Sequence, residues 1–313
     1  MSIIYGFGSA TVDFRIKTAD YGDLYKDKLL AQTCRALGGG AVANFLTQAS
    51  RLGLSTAFLG KLGNDVVGSM ITALLREEGI DCSHVVRTDE YPSPFNLAVY
   101  TGEEMRRRGG FLLPNSLASL TEKDIFALTT PITAEDHVMI EIGEVPPAQV
   151  IAFARAVRAK GATIYIDVDL DPVRQCGFTP DEFDTVCRLC DILIPNVVSM
   201  TTIYPSMTAA TLADHMYAIY RKPCIVSAGG EGAYYCEDET GAKNVPAHAV
   251  TVVDTVGAGD AFHGGLVYGL VCGMDLAEAV RCGTVCGGIN CTAYGARSGM
   301  ADGIVLRHVM EEE

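Results

Sequence analysis

Long unbroken apolar runs are missing from this chain of 313 residues, although 49% of them are hydrophobic. No stretch of about 18 residues is free of charges and turn formers, which excludes a membrane-spanning helix. Positive charge is also scarce. Against 38 Asp and Glu stand 24 Lys and Arg, a formal net charge of −14, which argues against nucleic acid and anionic membrane surfaces as partners. A phosphorylated ligand would therefore need a local basic cluster. Residues 1–6 lack the basic start of a secretory signal and read as a first strand. Tandem repeats, low-complexity tracts and long polar linkers are absent, so the length suits one large α/β domain or one domain with a small appendage. The eleven cysteines offer no paired metal-binding spacing: Cys187 and Cys190 come nearest, inside a helical pattern with no second pair. Buried free thiols in a reducing, cytoplasmic setting are the expectation.

What is present is an alternation. Short apolar runs at 138–140, 163–166, 192–194 and 224–226 read as buried strands. Segments of helical period, such as 147–160 and 208–221, separate them. This order predicts a mainly parallel sheet covered by helices on both faces, with ligands bound at the carboxyl edge of the strands. Two alternating runs, 11–17 and 95–101, stand apart and predict a small antiparallel flap beside the main sheet. Gly6-Phe7-Gly8 fails as a dinucleotide fingerprint, because a third glycine is missing and a strand pattern follows.

The densest chemistry lies at residues 254–260, D-T-V-G-A-G-D. Helical spacing follows Asp260, so the glycines sit where a loop enters a helix. Free amides and a partial positive charge gather there. Gly257 and Gly259 let those amides converge on an anion such as a phosphoryl group in flight. Asp260, on the first turn, is placed to accept a proton from an attacking hydroxyl. At residues 38–53 a glycine cluster opens another helix, and Asn44 lies one turn inside, its amide offering donors and an acceptor to a polyol. Asp13 follows the first strand at the binding edge, where a carboxylate can hold sugar hydroxyls. Glu141, ending the run at 138–140, is a weaker candidate of the same kind. Arg106-Arg107-Arg108 is the only dense basic run: a solvated edge, or a grip on a carboxylate or phosphate of the acceptor.

Residues 254–260 with Ala261-Phe262 and Gly264-Gly265 resemble the C-terminal signature of the ribokinase-like (PfkB) carbohydrate kinases. Gly39, Gly40 and Asn44 match that family's G-G-x-x-x-N signature, and residues 59–68 are similar to its G-x-x-G-x-D-x-x-G stretch, read as strand, turn and helix cap. The likeness covers nearly the whole chain. It implies a Rossmann-like three-layer α/β core with a β lid from discontinuous segments near 11–37 and 88–112, in a single domain spanning 1–313. It implies Asp260 as base and the amides of Gly257, Ala258 and Gly259 as anion hole, with Asp13, Gly39, Gly40 and Asn44 towards the acceptor. Ser227, Gly229 and Gly232 match the family's T-x-G-x-x-G element along the nucleotide, joined there by Asn196, Thr255, Gly257 and Gly259. Residues 290–299 would enclose the adenine or a monovalent cation. The implied cofactors are ATP and Mg²⁺, and the implied assembly is a lid-mediated homodimer.

The family usually reads N-x-x-E at residues 196–199, and its Glu orders the water shell of Mg²⁺. Here Asn196 is present and Ser199 replaces the acid. Asp167-Val168-Asp169 only partly echoes the family's D-x-N-x-R, leaving Asp169 as an outer-shell substitute; the metal ligands stay unassigned. The expected activity is phosphoryl transfer from ATP to a hydroxymethyl group of a sugar or polyol. The alternatives are a nucleoside kinase, with Phe14, Phe95 and Tyr100 as candidates for a purine slot, and a non-catalytic sugar or nucleotide sensor.

Overall fold

The protein is described by a computed structural model covering residues 2–19, 30–101, 106–112 and 115–312. Its central sheet uses strands β1 (Ile4–Phe7), β4 (Thr56–Leu59), β9 (His137–Glu141), β10 (Thr163–Val168), β11 (Ile192–Pro195), β12 (Cys224–Ser227), β13 (Ala233–Cys236) and β14 (Lys243–Val245). Their order across the sheet is β14-β13-β12-β11-β10-β9-β1-β4. All pairs from β4 to β12 are parallel, and only the β12–β13–β14 edge is antiparallel.

Neighbouring residues of each strand point to opposite faces, so apolar runs without polar alternation must be covered twice. They are. Val138, Ile140, Ile164, Ile166 and Val226 join one core with helices α3 (Glu122–Thr129), α4 (Pro147–Lys160), α5 (Pro180–Leu189) and α6 (Ala209–Tyr220). Met139, Tyr165, Ile194 and Ile225 join the other with α1 (Ala41–Arg51), α2 (Val66–Glu77), α7 (Ala258–Val271) and α8 (Leu276–Asn290). The three-layer α/β architecture expected from the alternation is the one observed. Thr179 and Thr208 start α5 and α6 with reciprocal capping boxes, and Asp65 caps α2 by accepting from the Gly68 amide at 2.6 Å. Residues 59–68 thus form strand, turn and cap, as read.

The flap is a separate four-stranded sheet. It comprises β2 (Thr11–Thr18), β3 (Ala31–Gly39), β7 (Phe95–Thr101) and β8 (Arg106–Leu112), in the order β3-β2-β7-β8. Its outer pairs are antiparallel, but the central pair, β2 with β7, runs parallel. Alternation predicts a strand and a face, not the direction of a partner some eighty residues away; β2 and β7 both leave the core edge in the same sense. Val86–Thr88 (β6) pairs with Lys61–Gly63 (β5) outside this sheet. Arg106–Arg108 begin β8; their side chains lie outside the described residues. All eleven cysteines are free, with only Cys34 and Cys272 exposed. Cys187 and Cys190 are buried at the end of α5, where the Cys190 thiol donates to the Cys187 carbonyl. Among the described residues, no helix is long and apolar enough to cross a membrane.

Candidate active site

Parallel strands deliver their following loops to one edge. Ser9 and Asp13 come after β1, Glu141 ends β9, Asp167 lies at the end of β10 with Asp169 just beyond it, Asn196 follows β11, and Ser227 ends β12. Two helices point their amino ends at the same edge. Helix α1 begins at Gly40, whose φ of 90° suits only glycine. A Cβ there would come within 2.7 Å of the Ala10 Cα and the Ser9 carbonyl oxygen. Helix α7 begins at Gly257, φ 79°, pressed on the backbone of Ala296. Ala258 and Gly259 form the first turn of α7, and a Cβ on Gly259 would meet nothing within 4 Å. The expected anion cradle is therefore a helix start whose second glycine faces open space.

Asp260 completes that turn. Its Oδ2 accepts from Asn44 Nδ2 at 2.7 Å, joining α7 to α1 across 216 residues of sequence. Desolvation pushes the Asp260 carboxyl up to about 8; the Asn44 donor and the Arg297 charge pull it down, while Asp169 and Glu141 push it further up. Asp13 is held on the lid by Thr11 Oγ1 at 3.1 Å and Asn96 Nδ2 at 3.0 Å, both donating to its Oδ1. Gly39 lies so close to Asp13 that a Cβ would come within 2.5 Å of that oxygen. Asp13, Gly39, Gly40, Asn44 and Asp260 are thus brought together.

Glu141 belongs to the same edge through a different contact. Both its carboxylate oxygens are taken by Ser9, by its amide at 2.7 Å and its hydroxyl at 3.0 Å. The Ser9 hydroxyl in turn accepts from the Ala41 amide at 3.0 Å. Glu141 therefore anchors the turn that seats α1. Burial raises its carboxyl to about 7, the Ser9 contacts opposing and Glu144 and Asp169 reinforcing the rise.

Further along the same edge, Asn196 forms an isolated bridge with Ser227, and its Nδ2 donates to Asp169 Oδ1 at 2.8 Å. Asp169 is exposed. Ser199 is buried, its hydroxyl directed at the Val168 and Asn196 carbonyls and its amide donating to Asn196 Oδ1. It braces the turn and offers nothing to a ligand. Gly229 opens a short turn with free space around it, Gly232 packs on the backbone of 245–247, and Thr255 is exposed beside the α7 start. Asp167 is buried with Oδ1 unpartnered, and its Oδ2 lies 3.5 Å from Nδ1 of His263. Desolvation takes His263 down to about 4 and Asp167 well above the usual carboxylate range.

Residues 3–302 match the family described as pfkB family carbohydrate kinase. This chain belongs to that family. The kinase is 26% identical over 299 residues to the 2-dehydro-3-deoxygluconokinase of Bacillus subtilis, covering 90% of this chain and 87% of that one. Its fold is that of the Arabidopsis thaliana ribokinase complexed with ribose and ATP (TM-score 0.83, 20% identity, 99% of each chain). It is also that of a Vibrio cholerae fructokinase with fructose, ADP and potassium bound (TM-score 0.79, 22% identity, 99% of this chain and 98% of that one).

Three features of the kinase's site escaped sequence reading. Arg297 donates from Nε to Asn44 Oδ1 at 2.7 Å and from Nη2 to the Gly39 carbonyl at 2.9 Å. Arg15, on β2, lies 3.6 Å from Asp254 with its guanidinium over the Tyr294 ring, tying the lid to the loop that opens α7. Asp254 also accepts from the Gly295 amide at 3.0 Å. A single arginine among polar residues carries no periodic signal, and the partners of Arg297 and Arg15 lie hundreds of residues away. The possible purine slot is divided: Asp13 and Asn96 are register partners on one face of the lid, and Tyr100, four residues on, shares it. Phe14 and Phe95, in edge contact at 5.9 Å, alternate to the other face.

Proposed function

We propose that this carbohydrate kinase transfers the γ-phosphoryl group of ATP to a hydroxymethyl group of a sugar or related polyol, with Asp260 as the base. The observation that carries this reading is the placement of Asp260 on the first turn of α7, its carboxylate oriented by Asn44 at 2.7 Å. The amides at Gly257, Ala258 and Gly259 surround the point where charge develops on the transferred group, and the helix dipole adds to them. In a loose transition state the base chiefly aligns the attacking oxygen and takes its proton late. Asp13, Gly39, Gly40 and Asn44 hold the acceptor hydroxyls, with Glu141 supporting them through Ser9. Asn196, Ser227, Gly229, Gly232 and Thr255 line the nucleotide side, and the exposed Val252, Val253 and Val256 offer a purine an apolar surface. The ATP of the Arabidopsis relative supports that assignment.

A hydrated Mg²⁺ fits the exposed Asp169, oriented by Asn196, beside the orphaned buried oxygen of Asp167. In this reading Asp169 takes the outer-shell role left open by Ser199. When bound, the metal neutralises charge on the phosphates and keeps several of its waters. A monovalent cation, as in the potassium-bound fructokinase, fits the strap at 290–299, where the buried Asn290 Oδ1 lacks a donor. The exposed residues 31–36 of β3 give the lid a surface for a second copy of the chain.

The test is an ATP-consumption screen with Mg²⁺ over pentoses, hexoses, their phosphates, sugar acids and nucleosides, run beside Asp260→Asn. The expected outcome is turnover on a sugar or polyol, reduced about a hundredfold or more in the variant with ligand binding retained. Turnover confined to nucleosides would move the acceptor class. Tight binding of one compound with no turnover would make the protein a sensor.

A further inference from the structure

Helix α1 carries a polar stripe of which the proposed reaction uses only Asn44. Asn44, Gln48 and Arg51 fall at spacings of four and three, on one side of the helix, and all three bind the strap at 297–301. Asn44 Oδ1 accepts from Arg297 Nε at 2.7 Å; Gln48 Nε2 donates to the Ala301 carbonyl at 2.8 Å; Arg51 Nη1 donates to the Arg297 carbonyl at 2.7 Å. Arg51 is itself fixed by Glu78 through two contacts of 2.9 and 2.7 Å. Residue 297 is therefore held at both its side chain and its backbone. The head of Arg297 is fixed further by the Gly39 carbonyl and lies against Gly38, where a Cβ would come within 2.5 Å of Nη1.

A side-chain amide can turn over and exchange its oxygen and nitrogen, and only its partners decide which way it points. Arg297 has donors and no acceptor, so it accepts only one answer: oxygen towards Arg297, nitrogen towards Asp260. We propose that Arg297 is the positioning residue for the catalytic base, acting through Asn44, and that this proposal rests on the reading of Asp260 as that base. Asn44 then has one N–H committed to Asp260, and its remaining N–H is left to meet a lone pair of the acceptor. The other charged and titratable groups acting on Asp260 are Asp169 and Glu141, ends of neighbouring strands, which repel its charge, and Asp167, which is raised in part by Asp260. Asn44 and Arg297 are the groups that favour its charged form.

The test is a double-mutant cycle on turnover of the screened acceptor. Arg297→Ala should lower kcat about ten- to a hundredfold, the scale of a misplaced reacting group, with the KM for ATP unchanged. Arg297→Lys should recover part of that loss. In an Asn44→Ala background, where no amide remains to orient, Arg297→Ala should change kcat less than twofold. An equal loss from Arg297→Ala in both backgrounds would overturn the proposal, as would wild-type kcat in Arg297→Ala. Thermal unfolding accompanies each variant. If Arg297→Ala does not fold, the cycle is read with Arg297→Lys and Arg297→Gln, which keep most of the side-chain volume. If Asp260→Asn is inactive while the cycle is additive, the base stands and the positioning role falls. If Asp260→Asn is active, the base assignment itself fails.

Discussion

Gly257 and Gly259 are two residues apart in one loop, yet a methyl group should have opposite consequences at each. In Gly257→Ala the new side chain must occupy a left-handed backbone, φ 79°, at about 1–2 kcal/mol. It also meets the Ala296 carbonyl group, whose carbon would lie 2.9 Å away. That backbone cannot easily give. Asn290 Nδ2 donates to both the Ala296 carbonyl at 3.1 Å and the Val256 carbonyl at 3.2 Å, clamping strap to loop. Overpacking against a clamped backbone adds about 1–3 kcal/mol. Gly257→Ala should therefore lose stability on the order of 2–5 kcal/mol, and turnover should fall as loop and strap separate. Gly259→Ala meets nothing within 4 Å and lies on a helical turn, where alanine is favoured by up to about 1 kcal/mol. Its stability should be unchanged or raised. Its methyl group, however, projects beside the amides proposed to receive the phosphoryl group, so turnover should drop about tenfold or more. Urea unfolding gives the first quantity and coupled ATP consumption the second. A wild-type unfolding midpoint for Gly257→Ala would refute the packing argument, and full turnover in Gly259→Ala would remove the phosphoryl site from this turn.

Three further outcomes can be checked with the same assay. Asp260, raised to about 8 chiefly by desolvation, is protonated below that pH and cannot accept a proton. As it ionises, kcat/KM, which reports the free enzyme, should climb about tenfold between pH 7 and pH 9; a flat profile would exclude a base that ionises near pH 8. Asp169→Asn should raise the Mg²⁺ concentration needed for half-maximal rate several-fold, because the exposed carboxylate beside Asn196 is lost. An unchanged Mg²⁺ requirement would leave the metal's acid elsewhere. Arg15→Ala removes the contact between the lid and the loop that opens α7 and should raise the acceptor KM; wild-type KM and kcat would show that this contact does not serve acceptor binding.

The chain's local patterns were sufficient for its architecture because burial on two faces imposes a readable rule. Unbroken runs such as 138–140 and 163–166 can be satisfied only between two layers of helices, and the structure supplies both. The start of α7 was legible for a similar reason: glycines before a helical period mark an amino end, and Asp260 on its first turn follows by counting. Local pattern also located Asn44 one turn inside α1. It could not say which way its amide faced, since that depends on Arg297, 253 residues later. Nor could it show that Glu141 would be claimed by Ser9, that β2 and β7 would run parallel, or that Ser199 would turn inward to brace Asn196. Periodicity records which face of an element is buried, so sequence alone determined the layers and the glycine-led start of α7. Hydrogen-bond partners far apart in the chain leave no periodic trace, so only the tertiary structure decided how Asp260 is held.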